Sequence, residues 1–487
     1  MITILEEKIN NQRKEIKEDI FAPATMRIDE IGTTTDRITG RAGLSFFARY
    51  LDRIGLRWII ERFFGSIRKS RKGKGIYDLF KQVICFFLDG SSRHLTYFDS
   101  LKKDEGYAAS IEFTPGQMSS SHGIKRFFSG FSYLRNRLFR KLLQKMFLWR
   151  LKLEKPSVLF LDIDTMVMDN DDAKKRAGVS PTYKKKKGFQ PYLVKWDRYI
   201  IDTVFRGGKK HSNHGDTVKN SLSHLVSLIR CNYSAEIPII VTCDSGFYDQ
   251  KLFEFFETEL CIHYICTGKL YDDIRERVSR FKSEEFFIYR KNERGEENEQ
   301  SQWKCVEFRD RRDSWKKERR ALYSVHIVES NQRLLFGVES IYYTNIGDNE
   351  YLTAKLERAG LSEYLDAENI IKLAHQCGEA ELVHRNLKEF GFEQMPFKKF
   401  SSNHAFFQMM VLSFNLYESF KWDICQEVEV VALSVQPNTF RRTFLDIAGK
   451  IVRHGRKCIL KVSKEVRERL SLERIWELCN RVPELLC

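Results

Sequence analysis

The sequence predicts an α/β protein with a mixed sheet at its centre, and two observations support this class. Between residues 156 and 267, short apolar runs and amphipathic stretches follow in the order strand, strand, strand, helix, strand, helix, strand, as in a sheet layered with helices. Of the 487 residues, 42% are hydrophobic and 13% aromatic, so the chain can bury a large core and extended disorder is excluded. This length corresponds to roughly two to four domains.

The first 154 residues are predicted to form an N-terminal arm, residues 1–40, and a helical DNA-binding region, residues 41–154. In the helical region, apolar residues recur every four positions from Leu134 to Met146, which predicts the apolar face of one helix. Upstream, a run of serines precedes Lys125 and Arg126 and can cap a helix whose N-terminus approaches a DNA phosphate. The alternative is a structural helix whose basic residues are simply solvated.

Residues 155–267 are predicted to form the first part of a catalytic core. Two apolar runs, Ser157–Asp164 and Pro238–Asp244, each end in an acidic residue, as buried strands do when their carboxyl ends open into a site. The other elements predicted here are strands at Tyr192–Trp196, Tyr199–Phe205 and Ile262–Cys266 and helices at Asp216–Arg230 and Asp249–Phe256.

The rest of the chain divides into three predicted parts. Residues 268–340 contain short strand-like runs separated by charged turns, which predicts a β-rich insertion domain. Residues 341–425 return to the core and hold a helix that includes Glu381, and residues 426–487 form a C-terminal region. The strands predicted in the insertion are Phe286–Tyr289, Trp303–Phe308, Leu322–Val328 and Leu334–Glu339, with a hairpin tip at Asn292–Gly295.

The charge of the chain favours a polyanionic partner. Lysine and arginine number 82 against 66 aspartate and glutamate residues, giving a formal net charge of +16, which suits nucleic acid or an anionic membrane surface. The chain lacks an apolar run of membrane-spanning length and its N-terminus lacks the pattern of a secretory signal, so a cytoplasmic protein is expected. The 11 cysteines include no CxxC pair and are expected to be core residues rather than zinc ligands.

Four basic segments are predicted to contact DNA. Five of the seven residues 68–74 are basic, Lys185 lies in a run of four lysines, Lys209 and Lys210 follow two glycines, and six basic residues surround Trp315. Contacts of lysine and arginine with phosphates provide affinity that does not depend on DNA sequence. For the segment 68–74, the alternative is a solvated loop.

Three acidic residues are candidate metal ligands. Asp164 and Asp244 end apolar strands, and Glu381 lies seven residues before Lys388 in a predicted helix, so Glu381 and Lys388 share a helix face. Phosphodiester cleavage can use two divalent cations about 4 Å apart, and hard cations such as Mg²⁺ bind carboxylate oxygens. Asp162 points to the same face as Asp164 and is either a supporting group behind the ligands or an alternative ligand. Strand-end aspartates can instead satisfy turns, but three such acids in so basic a chain argue against that.

Three segments of the chain resemble the catalytic segments of bacterial insertion-sequence transposases. These segments are Asp162–Thr165, Cys243–Tyr248 and His375–Glu381. The enzymes they resemble are DDE transposases with a ribonuclease-H-like core, in the branch that has a β-strand insertion before the glutamate. Within this branch the chain most resembles the group numbered thirteen-eighty, over roughly residues 30–465.

The resemblance implies cut-and-paste DNA transposition. Asp164, Asp244 and Glu381 would bind two Mg²⁺ ions, with Mn²⁺ as a substitute, and a water molecule would nick the DNA at the transposon end. The freed 3′ hydroxyl would then attack, first the opposite strand to give a hairpin and later the target DNA. The implied partners are double-stranded DNA, as terminal inverted repeats and target, and a second copy of the chain in a synaptic homodimer. The implied location is the cytoplasm in association with the nucleoid, with no membrane partner.

The chain departs from the family signature at one position that matters. Lys388 matches the signature lysine that contacts a DNA phosphate, but the expected arginine four residues before Glu381 is Cys377. Because cysteine cannot bind a phosphate in the bidentate manner of arginine, His375 or Arg385 would have to compensate, or this copy is impaired. An impaired, transposase-derived DNA-binding protein therefore stays open, as does a metal-dependent DNA nuclease without strand transfer.

The predicted insertion also supplies candidates for holding a flipped DNA base. Related enzymes use an aromatic side chain of the insertion for this purpose, and Trp303 and Trp315 offer stacking faces here. The alternative is that either tryptophan belongs to the core of the insertion. The sequence leaves open the terminal repeat, the target preference and the helix that reads bases.

Overall fold

The computed structural model describes residues 30–67, 73–290, 301–330 and 333–485. Most of the predicted N-terminal arm, most of the basic segment 68–74 and the predicted hairpin tip lie outside these residues. The strands are β1 (Arg37–Thr39), β2 (Leu159–Thr165), β3 (Met168–Asp169), β4 (Ser180–Pro181), β5 (Lys187–Phe189), β6 (Tyr192–Trp196), β7 (Tyr199–Val204), β8 (Ile239–Cys243), β9 (His263–Thr267), β10 (Phe287–Arg290), β11 (Ser301–Asp310), β12 (Arg319–Ser330), β13 (Arg333–Thr344), β14 (Gly449–His454) and β15 (Lys457–Lys461). The helices are α1 (Leu44–Arg53), α2 (Leu56–Phe64), α3 (Ile76–Asp89), α4 (Phe98–Leu101), α5 (Glu105–Ser110), α6 (Ser121–Ser129), α7 (Tyr133–Glu154), α8 (Thr217–Asn232), α9 (Gln250–Glu254), α10 (Asp272–Ser279), α11 (Glu350–Arg358), α12 (Ala367–Phe390), α13 (Phe400–Glu427), α14 (Pro437–Phe440), α15 (Lys464–Arg469) and α16 (Leu472–Arg481).

A single mixed sheet carries the candidate site. Its strand order is β10, β11, β12, β13, β9, β8, β2, β6, β7. The strands β7, β6 and β2 are antiparallel neighbours, whereas β2, β8 and β9 run parallel. Parallel neighbours need crossover connections, and α8 and α9 lie in the connections that lead to β8 and β9. This arrangement confirms the predicted α/β class with a ribonuclease-H-like mixed sheet, and the strands predicted between residues 156 and 267 are present with small shifts at their ends.

The strands of the predicted insertion continue the same sheet. β13 pairs antiparallel with β9 of the core, with residues 342–344 opposite residues 265–267, and β12, β11 and β10 follow beyond it, each antiparallel to the last. Because β13 is one strand from Arg333 to Thr344, it crosses the predicted boundary at residue 340. The division of the chain into six parts stays a prediction.

A long buried helix connects the helical region to the sheet. Helix α13 is buried along most of its length and packs against α3, α7 and β7. Most of the hydrophobic residues in the helical region join one apolar core with this helix. Burial of apolar area, worth about 25 cal/mol per Å², therefore fixes the helical region next to the strands that hold the candidate acids.

Helix α7 corrects one detail of the predicted apolar face. Leu142 and Met146 are buried and Leu138 is partly buried, but Leu134 is 70% exposed. The buried stripe instead includes Phe139, because a spacing of four residues drifts by about 40° per step around a helix with 3.6 residues per turn.

No helix in the part of the chain that the structure describes is long and apolar enough to cross a bilayer. Cys85, Cys243, Cys266, Cys305 and Cys479 are buried, which confirms the prediction of core cysteines for these five. Cys231 and Cys458 are exposed, so the prediction is wrong for these two.

Candidate active site

Two candidate acids lie side by side at the carboxyl ends of neighbouring parallel strands. Asp164 is the penultimate residue of β2, and Asp244 directly follows β8. The preceding residues, Ile163 and Cys243, are partners in the parallel register. Alternate residues of a strand face opposite sides, so the burial of Leu161 and Ile163 in the core turns Asp164 to the other face. Both acids therefore lie at the edge where open α/β sheets bind their ligands.

Each of these aspartates has one oxygen held by the main chain. The Thr165 N–H donates to Asp164 Oδ1 at 2.6 Å, and the Gly246 N–H donates to Asp244 Oδ1 at 2.9 Å. Asp244 thus caps the short turn Ser245–Phe247, which is the alternative role expected for a strand-end aspartate. Since a carboxylate has two acceptor oxygens, capping a turn and binding a cation are compatible.

A buried lysine lies against the acids. Lys195 is opposite Asp162 in the antiparallel pair of β6 and β2, and its side chain is 1% exposed. Its Nζ is 2.6 Å from Asp162 Oδ2 and 3.8 Å from Asp164 Oδ2. Asp162 Oδ1 also accepts a hydrogen bond from Thr242 Oγ1 at 3.0 Å. Protein groups thus contact both oxygens of Asp162, which favours its supporting role over the ligand role. We call Asp162, Asp164, Asp244 and Lys195 the acidic centre.

The acidic centre has three carboxylates and one lysine, and its carboxylate oxygens fit a divalent cation. Burial raises the pKa of Asp164 to about 7; Lys195 opposes this shift, and the charges of Asp162 and Asp244 add to it. Loss of hydration also raises the pKa of Asp244. A divalent cation would relieve the repulsion between these carboxylates, and carboxylate oxygens are the ligands that Mg²⁺ prefers.

Helix α12 brings the third predicted acid to the same edge of the sheet. The helix packs over β8, β9 and β12. His384 follows Glu381 by three residues, and its Nδ1 is 3.4 Å from Asp164 Oδ2. The backbone of Glu381 therefore lies on the helical turn next to Asp164. The side chains of residues 377–381 are not described, and among those that are, no three His, Cys, Asp or Glu residues form a metal-binding group.

The two predicted cations of α12 follow the acid along the helix. Lys388 lies one turn after His384, and its Nζ is 2.5 Å from Glu393 Oε1 with a third of the side chain exposed. Arg385 is exposed. Both side chains can therefore approach a DNA phosphate, and Glu393 fixes the position of Lys388.

Two residues of this site, Lys195 and His384, are absent from the sequence-based predictions. Lys195 is the single charged residue in the apolar strand Tyr192–Trp196, and such a residue is a signal of a buried ion pair. His384 shares a helix face with Glu381 and Lys388 because it is three and four residues away from them. Burial lowers the pKa of His384 well below its usual range, and the charges of neighbouring lysines lower it further.

Two of the predicted lysine loops lie near the acids. Ser212 holds the loop between β7 and α8 at the site, since its Oγ is 3.2 Å from Thr165 Oγ1. This loop exposes Lys209 and Lys210, and Lys185 is exposed in the turn that precedes β5. Exposed lysines are suited to phosphate contacts, which position DNA without reading its sequence.

The N-terminus of α6 differs from the predicted phosphate site. Ser120 caps the helix as predicted, and Lys125 and Arg126 are exposed. However, Asp99 accepts hydrogen bonds from the Ser121 N–H at 2.9 Å and from Ser121 Oγ at 2.6 Å. A carboxylate of the protein therefore occupies the position that a DNA phosphate would take. Lys125 and Arg126 stay candidates as surface contacts only.

His375 and Trp303 contact each other between α12 and the outer strands of the sheet. Their ring centroids are 4.1 Å apart, and the ring of His326 lies 4.7 Å from the ring of Trp303. The Tyr289 hydroxyl forms a hydrogen bond with His375 Nδ1, and Ser324 Oγ is 3.3 Å from Nε2. His375 thus docks the helix on the strands and is not placed for the predicted phosphate contact. A base stacked on Trp303 would have to displace one of the two imidazoles.

Trp315 is a core residue, which corrects its predicted role in base stacking. It is 5% exposed and packs against Tyr248, Phe253 and Tyr343, with ring centroids 5.0 to 5.9 Å apart. Most of the basic residues around it form ion pairs within the protein. These pairs are Arg312–Asp273, Lys316–Glu254, Lys317–Glu257, Arg319–Glu257 and Arg320–Glu307. We call Trp315 and these pairs the tryptophan cluster; its charge is largely neutralised and its indole is covered.

Comparisons with known proteins give the family. Residues 25–484 match the family described as transposase DDE domain group 1. A search of curated proteins found no significant match. Among solved structures, the piggyBac transposase synaptic complex with hairpin DNA, determined by cryo-electron microscopy, is similar at 11% identity and a TM-score of 0.35, covering 84% of this chain and 80% of that chain. Because the family match spans nearly the whole sequence, the chain belongs to the DDE transposases, enzymes that act on DNA and generally use divalent metal ions.

Proposed function

We propose that this transposase moves an insertion sequence by cut-and-paste transposition, with Mg²⁺-dependent cleavage at the terminal inverted repeats and transfer of the freed 3′ ends to target DNA. The observation that carries the proposal is the acidic centre, where Asp164 and Asp244 end adjacent parallel strands and the helix of Glu381 passes beside them. The family match supports the reaction class. The reaction takes place on cytoplasmic, nucleoid-associated DNA.

Glu381 and the residues of the acidic centre have distinct roles in this proposal. Asp164, Asp244 and Glu381 would hold two Mg²⁺ ions, for which Mn²⁺ can substitute. When bound, these cations supply positive charge that stabilises the attacking and leaving oxygens of the phosphodiester. Lys195 keeps Asp162 fixed behind Asp164, and the main-chain N–H groups described above orient one oxygen of each aspartate.

Exposed cations around the centre would bind the DNA backbone. Lys388 and Arg385 lie on α12, while Lys185, Lys209 and Lys210 lie on the two lysine loops. Their contacts with phosphates would hold the scissile bond over the acids and provide affinity for any sequence. The same acids would serve successive steps, in which the nucleophile is first water and then a 3′ hydroxyl that forms a hairpin or joins the target. Joining two transposon ends in one event requires two copies of the chain.

Excision from a donor plasmid tests this function. The plasmid carries the inverted repeats that flank the gene, and the full chain is added with Mg²⁺. The wild type is expected to release the element and to leave hairpin ends, which migrate at twice their length on denaturing gels. Asp244→Ala should lower excision by about three orders of magnitude, because it removes a metal ligand. The matched control is Asp172→Ala, an exposed acid on the connection after β3, which should retain wild-type excision.

The outcomes separate the candidate functions. Full excision by the Asp244→Ala protein would contradict the assigned site. Cleavage by the wild type without hairpins or integration would indicate a nuclease that lacks strand transfer. Binding of the repeats without cleavage would indicate an impaired, DNA-binding derivative.

A further inference from the structure

His384 contacts the acidic centre from a different element than the other residues do. It lies on α12, one turn after Glu381 and one turn before Lys388. Its side chain is 14% exposed, and Nδ1 is 3.4 Å from Asp164 Oδ2. Since α12 also carries Glu381, this contact connects the helix of the third acid to the strand of the first.

The two ring nitrogens of His384 have different surroundings. Nδ1 faces a carboxylate, which when ionised can only accept hydrogen bonds, so the ring proton belongs on Nδ1 in this contact. Nε2 is buried and has no hydrogen-bond partner among the described residues. A buried polar atom without a partner is costly, so the position of this imidazole is not explained by packing stability alone.

Lys195 also lies near Asp164, but it is bound mainly to Asp162. Its Nζ is closer to Asp162, at 2.6 Å, than to Asp164, at 3.8 Å. Asp164 Oδ1 is held by the Thr165 N–H, whereas Oδ2 faces two nitrogen atoms, His384 Nδ1 at 3.4 Å and Lys195 Nζ at 3.8 Å. Since Lys195 Nζ is bound more closely to Asp162, His384 Nδ1 is the nearer of these two nitrogen atoms and can orient the second oxygen of Asp164.

We infer that His384 is a positioning residue, which holds Asp164 Oδ2 through Nδ1 in the orientation needed for metal binding and couples α12 to the end of β2. The inference rests on the proposed function, because it assigns a role at the same site. Groups that orient metal ligands in this way commonly affect metal affinity or activity by about 10- to 100-fold.

Two amide substitutions form a matched pair that tests the inference. The side-chain nitrogen of asparagine is separated from Cβ by the same number of bonds as Nδ1, whereas that of glutamine lies one bond further out. His384→Asn therefore keeps a donor towards Asp164, whereas His384→Gln displaces it and His384→Ala removes it. If His384→Ala fails to fold, the asparagine and glutamine variants still carry the comparison.

Two readouts are needed. The first is the rise in melting temperature of the DNA-free full chain as Mn²⁺ is added, and the second is the single-turnover rate of cleavage at a transposon end. The alanine and glutamine variants should need about tenfold more Mn²⁺ for half-maximal stabilisation and cleave at least about tenfold more slowly. The asparagine variant should stay within about threefold of the wild type on both measures, and all variants should bind DNA equally.

Either of two results would overturn the inference: a wild-type Mn²⁺ response in His384→Ala, or a His384→Asn protein as impaired as His384→Ala. Failure of the proposed function is distinguishable from both. In that case the wild type itself would not cleave transposon ends, while the Mn²⁺-dependent melting curves would still decide the role of His384.

Discussion

The acidic centre and the tryptophan cluster are both rich in charge, but the fold treats the two sets of charges in opposite ways. In the acidic centre, three carboxylates share Lys195, and the pKa of Asp164 is raised to about 7, with burial as the main cause. In the tryptophan cluster, five named cations each lie within 4.0 Å of an acid of the same chain. The difference teaches that a charge-rich segment is not enough to indicate a ligand site, because the fold can neutralise its charges with partners from elsewhere in the chain.

Burial separates the two regions further. Arg319 is 1% exposed and its partner Glu257 is 8% exposed, so this pair is part of the core and contributes to specifying how β12 packs. Asp164 and Asp244 instead end their strands at an edge that faces the lysine loops. The tryptophan cluster uses its charges to hold the structure together, whereas the acidic centre keeps its charges for a ligand.

The largest expected effect is a loss of stability when the tryptophan cluster is broken. Arg319→Met removes the cation that contacts Glu257 and the Tyr264 hydroxyl. Because a buried carboxylate loses a partner, the free energy of unfolding should fall by about 3 kcal/mol, measured by urea denaturation at pH 7. The control is Lys316→Met, whose side chain is 79% exposed in its pair with Glu254 and which should change stability by less than about 1 kcal/mol. Equal effects of the two substitutions would contradict a structural role for the buried pair.

A smaller effect is expected when the acidic centre of the metal-free protein is titrated. The pKa of Asp164 is raised to about 7, so between about pH 4 and 7 the folded state binds more protons than the unfolded state. The contribution of Asp164 to the stability of the folded state is therefore present at low pH and lost as the pH rises through 7. From pH 5 to pH 8 the free energy of unfolding should fall by roughly 2 kcal/mol. Denaturation of wild type and Asp164→Asn at both pH values checks this, since the variant should lack this component; identical profiles would contradict it.

The contrast also shows that the elements carrying the candidate acids could be predicted from the sequence. The acids of β2 and β8 were predictable because each ends a short apolar run, and a strand fixes the face on which its last residues lie. The helix that contains Glu381 was also predictable from the local sequence. Such features depend on neighbours in the chain, and the structure confirms the elements that carry them.

Pairing between distant segments was not predictable. In the sequence, the basic residues around Trp315 resemble a DNA-binding patch. The acids that neutralise some of them, Glu254 and Glu257, lie about 60 residues earlier in the chain and are not visible from the local sequence. The docking of His375 on Trp303 and the contact of His384 with Asp164 likewise depend on how α12 packs over the sheet. The side chain of Glu381 itself lies outside the described part, so its role as third ligand stays a prediction.

The smallest expected effect concerns DNA affinity. Lys209→Ala combined with Lys210→Ala removes two exposed cations near the acids. The dependence of log affinity on log salt should become shallower by about two, one for each lost phosphate contact, as measured by fluorescence anisotropy with transposon-end DNA. Lys316→Ala with Lys317→Ala changes the net charge equally but acts in the tryptophan cluster, and its slope should stay that of the wild type. Equal slopes for the two double variants would show that the lysines next to the acids have no special role.

The central claim is that Asp164, Asp244 and Glu381 converge on one metal site. It is tested most directly by replacing Mg²⁺ with Fe²⁺ and adding ascorbate and peroxide, so that radicals formed at the bound metal cut the nearby protein backbone. Cuts are expected near residues 162–165, 243–246 and 378–384, and all of them should disappear in Asp164→Asn. Cuts in the first two segments without the third, or a pattern that Asp164→Asn leaves unchanged, would contradict the claim.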